Sequence, residues 1–148
     1  METLLEFLGT TIVFAATDRF DVVQKFVVNT APDAELPISG MGSSFEALRN
    51  QVGVESPASE IQLRQQKLLR SSVDGPILQE LGGLEKVQIF FQTIYNFLKT
   101  ADRGKWYVFY AYGWAVDARW SGYGWGFDAG SVECPRRWDG GDVVVSRD

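Results

Sequence analysis

Read along the chain, the apolar positions change period near Gly104. Before it they recur mostly at three- and four-residue intervals, as on one face of a helix. After it they alternate, as along a strand. The clearest helical stretch is Leu84 to Thr100. Leu84, Val87, Phe91, Ile94 and Leu98 repeat there at 3-4-3-4 spacing, and Phe90, Tyr95 and Phe97 widen the stripe. Glu85, Gln88, Gln92, Asn96 and Lys99 fill the opposite side. The spacing predicts one helix whose broad arc faces a sheet plus a second helix or a second subunit.

Shorter signals precede it. Residues 2–9 suit a short helix. Thr10 to Ala16 is β-branched and apolar, and reads as a buried strand. Asp18 can cap a helix carrying Phe20, Val23, Phe26 and Val27 on one face. Residues 29–42, broken by Pro32, Pro37, Gly40 and Gly42, read as a loop. Ser43 and Glu46 form a capping-box pattern that opens a helix over 44–52. Ser56-Pro57 opens another, running to about Ser71, with Ile61, Leu68 and Leu69 inward. Arg64, Lys67 and Arg70 then form its solvated face. Gly75-Pro76 restarts a short turn that ends at Gly82-Gly83.

The last third reads as strands. Lys105 to Val116 is one long strand, with Trp106, Val108, Tyr110, Tyr112, Trp114 and Val116 on its bulky face. Tyr107, Phe109, Ala111, Gly113 and Ala115 lie on the other. Asp117-Ala118 is a turn, and Trp120 to Phe127 is a second, antiparallel strand. In it Gly122, Gly124 and Gly126 share one face, and Tyr123, Trp125 and Phe127 the other. Alternating glycines weaken a strand unless the opposite face buries something substantial. Residues 142–146 make a final strand, placed by its terminal position at a sheet edge or against another chain. The expected fold is a single α+β domain over 1–148. Helices from the N-terminal two-thirds cover one face of a small, mainly antiparallel sheet built by the C-terminal third, with Thr10 to Ala16 as a possible extra strand.

Composition sharpens this in two ways. Aromatic residues reach 14% of the 148 residues, and histidine is absent. Without histidine there is no Ser-His-Asp triad, no Cys-His dyad and no His-ligated metal site. No metal site and no cofactor are expected. The net charge of −5 and the scattered basic residues exclude a phosphate-tracking surface, so nucleic acid is not an expected partner. A basic protein partner remains compatible with that charge. Cys134 is the sole cysteine, which excludes an intrachain disulfide and suits a reducing compartment. Pro135, Arg136 and Arg137 follow it, and the cations favour a thiolate, but a nucleophilic cysteine also needs a base. The acidic start does not resemble a secretion signal, and no apolar run approaches the ~20 residues of a membrane span. A soluble cytoplasmic protein without membrane contact is the expectation.

Candidate chemistry is sparse. Gly124 to Ala129 matches a dinucleotide-loop variant, yet Gly130, Ser131 and Pro135 follow where a helix would have to open. Gly42, Ser43 and Ser44 precede a predicted helix and form a candidate anion site, although capping also explains the serines. Asp117, Asp128 and Glu133 lie beside the aromatic region and are the candidate acids for catalysis without histidine. Tyr110, Tyr112, Trp114, Trp120, Tyr123, Trp125 and Phe127 are the candidate ligand or interface residues. The leading expectation is a non-enzymatic binding or protein-interaction module, a homodimer that self-associates through an aromatic and glycine-rich strand surface. A protein that binds a small apolar or aromatic ligand, or a histidine-free enzyme with an aromatic-lined cavity, is the first alternative. An acidic inhibitor or immunity-type protein is the second.

Overall fold

Strand Tyr107–Ala111 and strand Trp114–Trp120 are joined by Tyr112 and Gly113 alone. Both take positive φ, 54° and 80°, as a two-residue hairpin turn demands. Glycine reaches that region without strain, whereas tyrosine does so only when its surroundings hold it there. The break divides the predicted single strand of 105–116 in two. It also moves the predicted turn residues Asp117 and Ala118 into the middle of the second strand.

The computed structural model describes residues 3–14, 18–134 and 136–148. The ends of two predicted elements, at Glu2 and at Ala15 and Ala16, lie outside these residues, as does Pro135. In chain order come β1 (Leu5–Val13), β2 (Phe20–Asp21), α1 (Val22–Lys25), β3 (Ile38–Met41), α2 (Ser43–Val52), β4 (Val54–Glu55), β5 (Ile61–Leu68) and β6 (Ser72–Val73). Then follow α3 (Asp74–Leu81), α4 (Leu84–Val87), α5 (Phe91–Leu98), β7 (Tyr107–Ala111), β8 (Trp114–Trp120), β9 (Trp125–Ser131), β10 (Arg137–Trp138) and β11 (Val143–Arg147). A seven-stranded sheet runs in the order β1-β5-β11-β7-β8-β9-β3. The pairs β11–β7 and β3–β9 are parallel, and the other neighbours are antiparallel.

This corrects the expected α+β arrangement. The N-terminal two-thirds does not form a helical layer over a small C-terminal sheet: it supplies β1, β3 and β5 to one large mixed sheet, and its short helices lie on both faces. Alternation along β7 shows the two faces. Tyr107, Phe109 and Ala111 join one core cluster, with Phe45 and Leu48 of α2 and Phe91, Ile94 and Leu98 of α5. Val108 and Tyr110 join the other, with Ile77 of α3 and Val87 of α4.

Local expectations change with it: the predicted loop of 29–42 contains β3, and the middle of the predicted strand of 120–127 is the turn between β8 and β9. The predicted helix of 56–71 is strand β5, hydrogen-bonded on both sides, to β1 and β11. Its polar residues are met by neighbouring strands. The Arg64 guanidinium lies 4.4 Å from the Phe7 ring centre, and Gln65 donates to Thr11 at 2.8 Å. The predicted short helix of 2–9 falls largely within β1. The terminal strand β11 is interior rather than at an edge. Finally, the predicted helix of 84–100 is broken at Gln88–Phe90. Val87 belongs to one core cluster and Ile89 to the other, so the chain passes around the end of the sheet between them. Ile89 N–H donates to the Tyr110 carbonyl at 2.9 Å on the way. A continuous helix would keep its whole apolar stripe on one side, and two separate cores cannot be filled from one stripe.

Helix α2 matches its predicted span, but its first residue is Ser43 and its N-cap is Gly42, with no side-chain capping bond. The helix expected after Asp18 shrinks to α1, capped instead by Asp21, whose carboxylate accepts from Gln24 N–H.

Candidate functional site

The second half of the broken helix begins at Phe91, and its first amides need acceptors. Glu55, from β4, supplies them. Its buried carboxylate accepts from Phe91 N–H at 2.8 Å, Gln92 N–H at 2.9 Å and Gln92 Nε2 at 3.3 Å. The Tyr112 hydroxyl donates to the same carboxylate at 2.6 Å. That bond holds the hairpin tip in its positive-φ conformation. It also raises the Tyr112 hydroxyl pKa well above the usual phenol range, after the larger effect of burial. The Tyr112 ring stacks on buried Phe91 at 5.9 Å and lies 6.4 Å from exposed Phe90.

On its other side Tyr112 lines a groove of about 320 Å³ with Leu48, Gln51, Val52, Val54 and Trp114. Phe90, Tyr112 and Val54 are all exposed. The result is an open surface of mixed polar and apolar lining, with the Tyr112 ring fixed in its wall.

The other aromatic residues singled out from the sequence separate. Tyr110, Trp125 and Phe127 are buried in the two cores. Trp120 is half-buried and packs edge-on against Trp125 at 5.6 Å. Tyr123 is exposed. Tyr112 and Trp114 of that set line one groove together.

The candidate acids behave differently. Asp117 and Asp128 are direct cross-strand neighbours in β8 and β9. Two carboxylates so placed repel, and Arg136 bridges them, at 2.8 Å from Asp117 and 3.5 Å from Asp128. The Arg136 guanidinium also lies 4.6 Å from the Trp138 ring centre, and the Trp138 ring N–H donates to buried Asp74 at 2.6 Å. Tyr110 donates to the same Asp74 oxygen at 2.8 Å. This chain of contacts ties β10 and α3 onto the sheet. Nothing in the sequence pattern distinguished Asp74 or Glu55, because each finds its donors far along the chain. Glu133 stands apart in an exposed turn, its N–H donating to Ser131.

At the predicted anion site, Gly42 N–H is used by the Phe127 carbonyl. A Cβ on Gly42 would lie 2.6 Å from the Asp128 carboxylate. Glycine therefore admits Asp128 beside the start of α2, and the negative charge favoured there comes from the protein itself. Ser43 and Ser44 are exposed. So is Cys134. Among the described residues, no cluster of three or more ligating side chains is placed to hold a metal ion. Among them, too, no helix is long and apolar enough to cross a membrane.

No protein family, curated protein or solved structure matches this chain. The reading of the site therefore rests on its own geometry.

Burial pushes Asp117 above the usual carboxylate range, against the pull of Arg136. It does the same to Asp142, aided by the charges of Asp139 and Asp117 and opposed by the Asp139 N–H. A group whose folded pKa is raised binds its proton more tightly in the folded state. Its contribution to stability therefore declines as pH rises from the unfolded value, about pH 4, through the folded one. Asp142→Asn retains an acceptor for Asp139 N–H, bonded at 3.0 Å in the wild type, and removes the charge. The variant is expected to be slightly more stable than wild type at neutral pH and to show a shallower fall in stability above about pH 4. Urea unfolding at a series of pH values checks this; parallel profiles would refute it.

Proposed function

We propose that the protein is a binding module without chemistry of its own, and that the Tyr112–Trp114 groove is its contact surface for another protein. The observation that carries this reading is the arrangement of Tyr112. A hairpin turn that asparagine or glycine would fill without strain holds a tyrosine, fixed by Glu55 and Phe91 and presented to solvent beside Phe90 and Val54. Rigid aromatic anchors ringed by apolar side chains are what protein interfaces enrich. The groove's volume lies at the lower limit for a small-molecule site, and it is open. It suits one or two apolar side chains of a partner better than an engulfed ligand.

The enzymatic alternative is less well supported. Asp117 and Asp128 lie together, but Arg136 holds both. The inhibitor alternative draws on net charge alone.

The test is a titration with peptides carrying one central Leu, Phe or Trp, followed by amide NMR shifts. Shifts are expected to cluster at Gln51, Val52, Tyr112 and Trp114. Tyr112→Asn keeps a residue suited to the turn and removes the ring, and it is expected to weaken binding at least tenfold. Shifts elsewhere, or undiminished binding by that variant, would refute the assignment.

A further inference from the structure

Among the described residues, strand β1 is an outer strand of the sheet and pairs with β5 alone. Every second residue of an antiparallel edge strand turns its backbone N–H and C=O outward. Proteins blunt such edges with lysine, proline, bulges or short length. The opposite edge, β3, has only four residues. β1 has nine, contains no proline or basic residue, has Glu6 as its sole charge, and is interrupted by one bulge, at Leu8. It also concentrates exposed apolar side chains: Phe7, Leu8 and Ile12, with Phe14 just beyond, exposed by 51%, 41%, 54% and 75%.

The register shows how they are arranged. Phe7 lies opposite Gln66, Thr10 opposite Arg64 and Ile12 opposite Gln62. Alternate β5 residues share a face, so Phe7, Thr10 and Ile12 share one too. Glu6, opposite Lys67, is on the reverse face. At the C-terminal end of the strand a groove of about 340 Å³ runs between β1 and α5, lined by Thr11, Ile12, Val13, Phe14, Asn96 and Lys99 among others.

We propose that this edge is covered by the β1 strand of a second copy of the chain, paired antiparallel about a two-fold axis at Thr10, since Phe7 and Ile12 lie equally far in register on either side of it. The strand is complementary to itself under that operation. A two-fold axis perpendicular to the sheet preserves faces, so Phe7 of each copy comes alongside Ile12 of the other. The two exposed apolar stripes then cover one another. On the reverse face each Glu6 keeps its ion pair with Lys67 of its own copy, at 3.3 Å. The two Glu6 carboxylates go to opposite ends of the pairing and do not meet. Such an isologous contact closes after two copies and leaves no open β1 edge. This surface is separate from the Tyr112–Trp114 groove.

Sedimentation velocity on the full chain between 1 and 100 μM tests the proposal. Wild type is expected to be dimeric in this range. Ile12→Lys and Phe7→Lys, both at exposed positions, are each expected to raise the dissociation constant at least tenfold. A Thr10→Cys variant in a Cys134→Ser background is expected to form an intermolecular disulfide under mild oxidation, because the axis brings the two copies of residue 10 together. A wild-type monomer at 100 μM would overturn the proposal. So would a dimer indifferent to both lysine variants, one weakened instead by Tyr123→Lys, or a failure of the Thr10→Cys variant to cross-link.

Discussion

Phe26→Ala is expected to reduce folding stability by about 3–5 kcal/mol. Phe26 is fully buried just beyond α1, and its ring is the hub of the larger core. It meets Phe45 at 5.6 Å, Phe91 at 5.4 Å, Tyr95 at 5.5 Å and Phe127 at 5.3 Å. Those rings come from α2, α5 and β9, so none can close the hole without dragging its own element. Most of the contacts are edge-to-face, a geometry that adds about 0.5–1.5 kcal/mol per pair beyond area burial. The loss would be a large part of a typical domain's 5–15 kcal/mol. The denaturant midpoint, followed by tryptophan fluorescence, should fall with little change in slope. Neighbouring Val27 is exposed, and Val27→Ala should alter stability by no more than about 0.5 kcal/mol. Equal effects of the two substitutions would contradict this placement of the core.

Glu55→Ala should cost about 3 kcal/mol or more, for a different reason. The substitution leaves two helix-start amides and the Tyr112 hydroxyl without their acceptor, while the Gln92 side chain keeps the Ser56 carbonyl. A hydrogen bond to a charged group contributes about 1.5–3 kcal/mol, and donors left buried add a penalty. Glu55→Gln keeps an acceptor oxygen but turns an NH₂ group toward donors, so its effect should fall between. Amide exchange provides a local readout: Phe91 and Gln92 should lose protection in Glu55→Ala before the rest of α5. Unchanged protection there would mean that Glu55 does not hold the helix start. Because the same carboxylate fixes Tyr112, weakened peptide binding should accompany the loss.

Both residues show where sequence reasoning reached and where it stopped. Phe26 was legible on a predicted helical face with Phe20, Val23 and Val27; the two phenylalanines are buried, but both valines are exposed, because α1 ends at Lys25. Glu55 was not legible, because its donors lie some 36 and 57 residues further along the chain. Tyr112 was legible as an aromatic candidate, but its role as a turn residue was hidden by an alternating pattern that runs unbroken through Gly113. The candidate acids Asp117 and Asp128 could be named but not paired: a cross-strand contact requires the register of β8 on β9.

By itself the sequence determined what depends on short-range periodicity and composition. It marked α2, the strand character of the last third, the alternation that sends Tyr107 and Phe109 to one side and Tyr110 to the other, and the chemistry that a chain without histidine lacks. The tertiary structure alone decided the rest. β5 is polar enough to suit a helix, and becomes a strand because β1 and β11 offer hydrogen bonds on both edges and partners for its side chains. The stripe from Leu84 to Leu98 satisfies a single helix locally, and is broken because its halves serve cores on opposite faces of the sheet. Local propensity differs between such alternatives by about 1 kcal/mol per residue or less. Long-range burial and pairing outweigh that margin, and they are absent from any short window of sequence.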